Sequence, residues 1–199
     1  MRAFETAAAF ERWLEKNHAR SRGVWVRMYK KGSGVATITY AGALDVALCF
    51  GWIDSQIRRH DDASYVQKFG PRGPKSMWSK RNQEHVARLS KEGRMRDAGL
   101  AAVDAAKRDG RWAKAYDSPK TMQVPPDFLR ALAKRARAKA FFSTLDRANV
   151  YAIAWRLETA KRPETRAKRV LDIVAMLERS ECFHPTRRAR PRRAIVSSR

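Results

Sequence analysis

Acidic residues and cysteines are both scarce in this 199-residue chain, where 20 Asp plus Glu stand against 43 Lys plus Arg and the cysteines number two. Two cysteines far apart in sequence, Cys49 and Cys182, suit a reducing compartment better than a disulfide scaffold. Cys49 lies in the apolar run Leu44–Phe50 and reads as a small buried hydrophobe. No stretch reaches membrane-spanning length, so no membrane insertion is expected. The N-terminus lacks the apolar run of a signal peptide, and the expected location is the cytoplasm. The chain has no Walker loop, no GxGxxG-type turn, no nucleophile elbow and no HExxH pair. The four histidines, His18, His60, His85 and His184, have no metal-ligand spacing with the cysteines. Hydrolase, kinase and zinc chemistries are disfavoured, and no metal or cofactor is expected.

The formal charge is +23. Residues 185–199 hold six arginines (Arg187, Arg188, Arg190, Arg192, Arg193 and Arg199) and no acid, yet the remainder still has 37 cations against 20 acids. A field of this sign favours polyanions such as nucleic acid or phosphorylated ligands. A general drift of solvated faces toward arginine accounts for it equally well. Apolar residues make up 44% and tryptophans number six, so the chain can bury a core without disulfides or metals.

Periodicity predicts an α+β fold. A helix is expected over 5–17, with Phe10, Trp13 and Leu14 on one face. Alternation over 24–31 puts Val24, Val26 and Met28 opposite Trp25, Arg27 and Tyr29, which is a strand. Residues 35–39 read as a short strand or extended link, and 40–50 as an Ala- and Leu-rich helix stopped by Gly51. Residues 52–59 and 65–69 read as strands of a hairpin turning at Asp61-Asp62-Ala63. Ser76 is expected to cap a helix over 77–92, and Asp97 one that ends at Gly110. After a loop over 111–125, helices follow from Pro126, near 138–145, over 147–161 and over 163–179. The organisation predicted is an α+β domain at 1–120 with a small, mostly antiparallel sheet, a helical module at 121–184, and a disordered Arg-rich tail at 185–199. The two folded parts could share one core.

Four groups of residues could carry chemistry. Arg72 and Lys75 precede the amides that follow Ser76, and Trp78 and Asn82 share one face of that helix, which together make an anion site with a stacking surface. The structural alternative has Ser76 as a cap and Trp78 in the core. Trp52, Asp54 and Gln56 alternate on a strand, and Trp25 and Tyr29 share their face if the strands pair. Asp54 then needs a partner, for which Lys30, Arg72 and Arg111 are candidates, and it forms either a pocket carboxylate or a structural ion pair. Arg111, Trp112 and Tyr116 place cations and aromatics on a loop, to bind or to staple it to the core. Lys161, Arg162, Arg166, Lys168 and Arg169 crowd a helix start, where cations oppose the dipole. This local cost points to a phosphate partner, unless the run is a solvated face.

Leu48-Cys49-Phe50-Gly51-Trp52-Ile53-Asp54 resembles the YdeI/OmpD-associated family, also called bacteriocin-protection proteins. Further pieces that carry the resemblance are Val24-Trp25-Val26 with Lys30-Lys31, and Pro71-Arg72 with Ser76–Asn82. Asp109-Gly110-Arg111-Trp112 with Ala115-Tyr116 continues it. The C-terminal part adds Phe142, Leu145, Trp155, Ala160-Lys161-Arg162 and Glu164-Thr165-Arg166 with Lys168-Arg169. These pieces lie in order along residues 4–184, outside the tail. The resemblance implies a role in envelope stress and in tolerance of antimicrobial peptides or bacteriocins, and it brings no catalytic residues.

The leading expectation is a noncatalytic binding protein for nucleic acid or a phosphorylated ligand, using Arg72, Lys75 and the 161–169 cluster. A second reading is an enzyme of unknown reaction with a pocket of Trp25, Lys30, Asp54, Arg72, Trp78 and Arg111. A third is a protein–protein adaptor docking through the helical half.

Overall fold

A computed structural model describes residues 1–117 and 121–185, so the tail expected to be disordered lies, from residue 186, outside the described residues. The fold is mixed α and β, with a four-stranded, mostly antiparallel sheet and helices in both halves. The chain divides into two compact units, Met1–Ala115 and a second that begins at Tyr116.

Unit 1 opens with β1 (Arg2–Ala3), α1 (Ala7–Asn17), β2 (Val24–Tyr29) and α2 (Tyr40–Cys49). It continues with β3 (Trp52–Arg59), β4 (Ser64–Pro71), α3 (Lys80–Lys91) and α4 (Asp97–Arg108). The sheet order is β1-β2-β4-β3, with only the β1–β2 pair parallel. The Thr6 hydroxyl accepts the Ala9 amide at 3.2 Å and starts α1, whose Phe10 and Leu14 are fully buried. Phe10 meets Phe69 of β4 with ring centroids 5.7 Å apart, which fixes the inner face of the sheet. Alternation in β2 holds, with Val24, Val26 and Met28 buried and Trp25, Arg27 and Tyr29 partly exposed. α2 buries six of its ten residues, which is why its sequence is apolar nearly all round.

Two glycines allow α4 to close on the end of α2. Gly51 has φ +70, and a Cβ there would lie 2.6 Å from the Ala98 carbonyl oxygen. A Cβ on Gly99 would lie 2.2 Å from that of Cys49. The Arg96 amide donates to the same Cys49 carbonyl at 3.1 Å, satisfying one of the orphan acceptors at the end of α2.

Unit 2 contains α5 (Pro126–Ala133), α6 (Ala136–Phe142), α7 (Arg147–Glu158) and α8 (Pro163–Glu178). Its own core gathers Phe128, Leu132, Ile153, Leu157, Ile173 and Leu177. Pro126 and Pro163 each stand in the first turn, where proline's missing N–H costs nothing.

Several expectations are corrected. Ser79, not Ser76, caps α3, its hydroxyl accepting the Asn82 amide at 3.1 Å. Ser76 Oγ accepts the Gly73 amide at 3.1 Å and closes the preceding turn, so the helix begins three residues later than expected. Asp97 lies inside α4, and Arg96 is its cap residue. Of the two readings of residues 35–39, a short strand or an extended link, the link holds: no strand forms, and the Ile38 amide donates to the Phe4 carbonyl at 2.9 Å while the side chain is buried. β1 was not foreseen, because a two-residue strand carries no periodicity.

Candidate functional site

The two faces of the sheet differ in kind. Across β2 and β4 the register opposes Trp25 to Lys68, Arg27 to Val66 and Tyr29 to Ser64, and β3 adds Arg58 opposite Val66. These residues share the outer face, since directly opposed residues point the same way. Val24 is opposed to Phe69 and Asp54 to Phe69, so Asp54 belongs to the inner face. Trp25 and Tyr29 therefore do not share a face with Trp52 and Asp54. A register shift between Asp54 and Ile57 breaks the alternation as well, leaving Gln56 exposed.

On the outer face the Arg58 guanidinium carbon lies 4.7 Å from the Trp25 ring centroid and the Lys68 ammonium 6.0 Å from it. Arg27 lies 4.6 Å from the Tyr29 ring. Arg27 also reaches the hairpin tip, donating to Asp61 at 2.6 Å and to Ser64 Oγ at 3.0 Å. The Ser64 hydroxyl bonds Asp61 at 2.7 Å and, with the Ala63 amide and Arg27, holds that carboxyl below the usual carboxylate range. Arg59 pairs with Asp62, and Lys30 donates to the Asp62 carbonyl at 2.9 Å. Both acids of the tip are thus engaged. Arg58 donates only to the neutral Gln56 amide at 3.1 Å, and among the described residues no carboxylate pairs with Arg58 or Lys68. Arg27, Arg58 and Lys68 escaped the sequence reading; the alternation that exposed Trp25 pointed to them, once the register was known.

Arg72, Trp78, Arg111 and Trp112 come together in a different place and form a structural core. Trp78 is 1% exposed, with the Arg72 guanidinium carbon 3.5 Å from its ring centroid and the Trp112 ring 4.8 Å away. Arg72 donates to the Met77 carbonyl at 3.1 Å, and Arg111 to the Ser76 carbonyl at 3.0 Å and to Asp109 at 2.7 Å. Gln83 fixes the Trp112 carbonyl at 2.7 Å. Arg111 thus ties the loop after α4 to the turn before α3, and Arg72 braces that turn from within. Lys75 is exposed and Asn82 half-buried beside them.

Asp54 is served by none of Lys30, Arg72 and Arg111; the Tyr40 hydroxyl donates to it at 2.9 Å. Trp52 is buried edge-on against Trp13, with centroids 5.9 Å apart. Lys30 instead lines a cleft of about 690 Å³ with Tyr29, Thr37, Thr39, Tyr40 and Tyr65. Elsewhere in unit 1, His85 Nδ1 lies 2.7 Å from Asp45, and Arg88 donates to the other oxygen of that carboxylate at 2.6 Å.

In unit 2, the basic start of α8 has a structural purpose that sequence alone did not suggest. Arg166 grips Asp127 with two bonds, 2.7 and 3.0 Å, and donates to the Leu157 carbonyl at 3.0 Å. Arg169 donates to the Arg156 carbonyl. Both therefore cap the end of α7, where cations are favoured by the dipole. The Arg166 bond is the main reason the Asp127 carboxyl lies below its ordinary range. Lys161, Arg162 and Lys168 remain exposed. Leu129 and Leu171 are the exposed large apolar residues among the described residues of this unit. Among the described residues, no three His, Cys, Asp or Glu side chains are gathered to hold a metal, and no helix is long and apolar enough to cross a membrane.

Residues 2–102, which supply the whole sheet and both of its faces, match the family described as Domain of unknown function (DUF8412). The chain belongs to the DUF8412 family. Residues 121–180 match a second family, OmdA, described as Bacteriocin-protection, YdeI or OmpD-Associated. The resemblance noted in the sequence is thus found over the four helices of unit 2, while the DUF8412 match accounts for the sheet-bearing unit. No curated protein and no solved structure matches the chain.

Proposed function

We propose that this DUF8412 protein is a noncatalytic binding protein for an anionic, phosphate-bearing partner, nucleic acid or a phosphorylated ligand, and that it works in the cytoplasm. The observation that carries this reading is the outer sheet face, where Arg58 and Lys68 stand against Trp25 without an acidic partner among the described residues. Cations that no carboxylate neutralises, Arg58 exposed and Lys68 half-buried, are available to neutralise phosphates. Lys75 in unit 1, and Lys161, Arg162 and Lys168 in unit 2, are further exposed cations. The description of the family matched by residues 121–180 supports a part in protection against bacteriocins.

The test is binding of the full chain to labelled nucleic acid and to polyphosphate at about 0.05 and 0.2 M salt, where phosphate contacts lose affinity steeply. A chain with the six arginines of 187–199 replaced by serine is expected to retain binding at the higher salt. The double substitution Arg58→Ala with Lys68→Ala is expected to weaken it at least about tenfold, as loss of two phosphate contacts implies. Binding that disappears with the tail arginines alone sinks the proposal.

A second reading, a pocket for a small ligand, is favoured by the cleft that Lys30 and three tyrosines line. Its volume suits a metabolite-sized molecule, and saturable binding of such a molecule that Tyr40→Phe weakens would support it.

A further inference from the structure

The outer face offers more than charge. Trp25 is a large aromatic on the side of the sheet away from the α1 and α2 core, and it is only half-buried. The five other tryptophans are placed differently: Trp52 and Trp78 are buried, Trp13 and Trp112 pack against the unit 1 core, and Trp155 faces Tyr116 in unit 2. The partners of Trp25 are two cations, Lys68 from the neighbouring strand β4 and Arg58 from β3 on the far side of β4. Four residues further along β2, Tyr29 repeats the arrangement with Arg27. At about 3.4 Å per residue the two rings are separated by roughly 14 Å along one strand.

We infer that this face binds single-stranded nucleic acid, with Trp25 stacking on an unpaired base while Arg58 and Lys68 hold the flanking phosphates. The inference rests on the anion-binding reading above and narrows it. Three features point to a single strand rather than to duplex or to a phosphorylated small molecule. Aromatic faces give nothing to a duplex, whose base faces are already stacked, but each unpaired base presents a free face. Guanidinium planes extend such stacks, and Arg58 already lies over the indole. The distance from Trp25 to Tyr29 asks for a ligand several nucleotides long, longer than any mononucleotide. The charge is graded along the face in the same sense. Asp61 and Asp62 at the hairpin tip balance Arg27 and Arg59, whereas the Trp25 end keeps Arg58 and Lys68 uncompensated among the described residues. Phosphates are thus directed to the Trp25 end.

The test measures the full chain against 12-nucleotide dT and U strands, a 12-base-pair duplex and polyphosphate of comparable charge, by fluorescence anisotropy at near-physiological salt. Both single strands are expected to bind more tightly than duplex or polyphosphate. Trp25→Ala is expected to weaken single-strand binding by about tenfold or more, in line with the loss of one stacked base, and to leave polyphosphate binding unchanged. Trp25→Phe is expected to restore most of the loss, which separates stacking from damage to the fold. Equal affinity for single strand and duplex, or a Trp25→Ala effect that is absent or the same for polyphosphate, overturns the inference and leaves the anion-binding reading standing. Failure to bind any of the four polyanions overturns both.

Discussion

Arg166 and Arg169 of α8 and Arg58 and Lys68 of the sheet are all cations, but they are used in opposite ways. The α8 pair turns inward, onto Asp127 and onto two carbonyls that end α7. The sheet pair lies on an aromatic ring with no carboxylate against it. Arg72 and Arg111 side with α8, since both are bound to backbone carbonyls of the turn before α3. What separates the two kinds of cation is the destination of their N–H groups, which a charge count does not contain. Cations that answer to helix ends and turns are part of stability. Those that meet only an aromatic ring and a neutral amide, with no carboxylate, are available to a partner.

The largest effect that could break this division lies in the tryptophans. Trp78→Ala removes a side chain that is 1% exposed and in contact with Arg72 and Trp112, and should destabilise unit 1 by about 3 kcal/mol or more. Trp25→Ala, on the outer face, should cost about 1 kcal/mol or less, the scale of exposed cation–π contacts. The two free cysteines report on each unit separately. Cys49 is buried in unit 1, and burial pushes its thiol up to about 11, whereas Cys182 lies in unit 2 and is partly exposed. In the native protein at pH 8 a thiol reagent should label Cys182 and spare Cys49. Trp78→Ala should speed labelling of Cys49 and leave Cys182 alone. Equal stability loss in both tryptophan variants would mean that the outer face is structural too.

Arg166→Ala comes next. It removes a two-pronged carboxylate contact and a helix-end cap, and should lower the urea midpoint of unit 2 by the equivalent of about 2 kcal/mol, as charged hydrogen bonds do. Arg58→Ala should change stability by no more than about 1 kcal/mol. An α8 arginine that can be removed without loss would return that cluster to the set of binding candidates.

How much of this could be read in the sequence depends on range. The alternation of β2 and the apolar run of α2 are local patterns, and β2, α2 and β3 fall within two residues of where they were predicted. Both helix-opening prolines were legible for the same reason. What failed was non-local. Asp54 and Val24 are both opposed to Phe69, which puts Trp25 and Asp54 on opposite faces, and the register shift after Asp54 then moves Gln56 out of the expected alternation; nothing local to β2 or β3 announces either pairing. Ser76 and Ser79 are equally good caps in composition, and the choice is made by the Gly73 amide, which engages Ser76 first. The inward turn of Arg166 depends on Asp127, 39 residues away in sequence. The site legible in outline was the aromatic-and-cation theme; its address on the outer face needed the strand order.

The smallest expected effect concerns pH. Hydrogen bonding to Arg166, helped by backbone amides at the start of α5, sets the folded Asp127 carboxyl below its ordinary value near 3.8. A depressed carboxyl contributes stability above its unfolded value, and that contribution fades as the pH falls through the folded one. The window therefore lies below about pH 4, the ordinary carboxylate range. Urea midpoints read through the helical signal should be lower in Asp127→Asn than in the native chain at pH 7. The gap should narrow steadily as the pH falls from about 4 toward 2. A gap that stays constant across that range would show that asparagine disturbs packing and that the ion pair contributes nothing. In that case Arg166 would be held by the Leu157 carbonyl alone, and its charge, like that of Arg58, would be free to serve a partner.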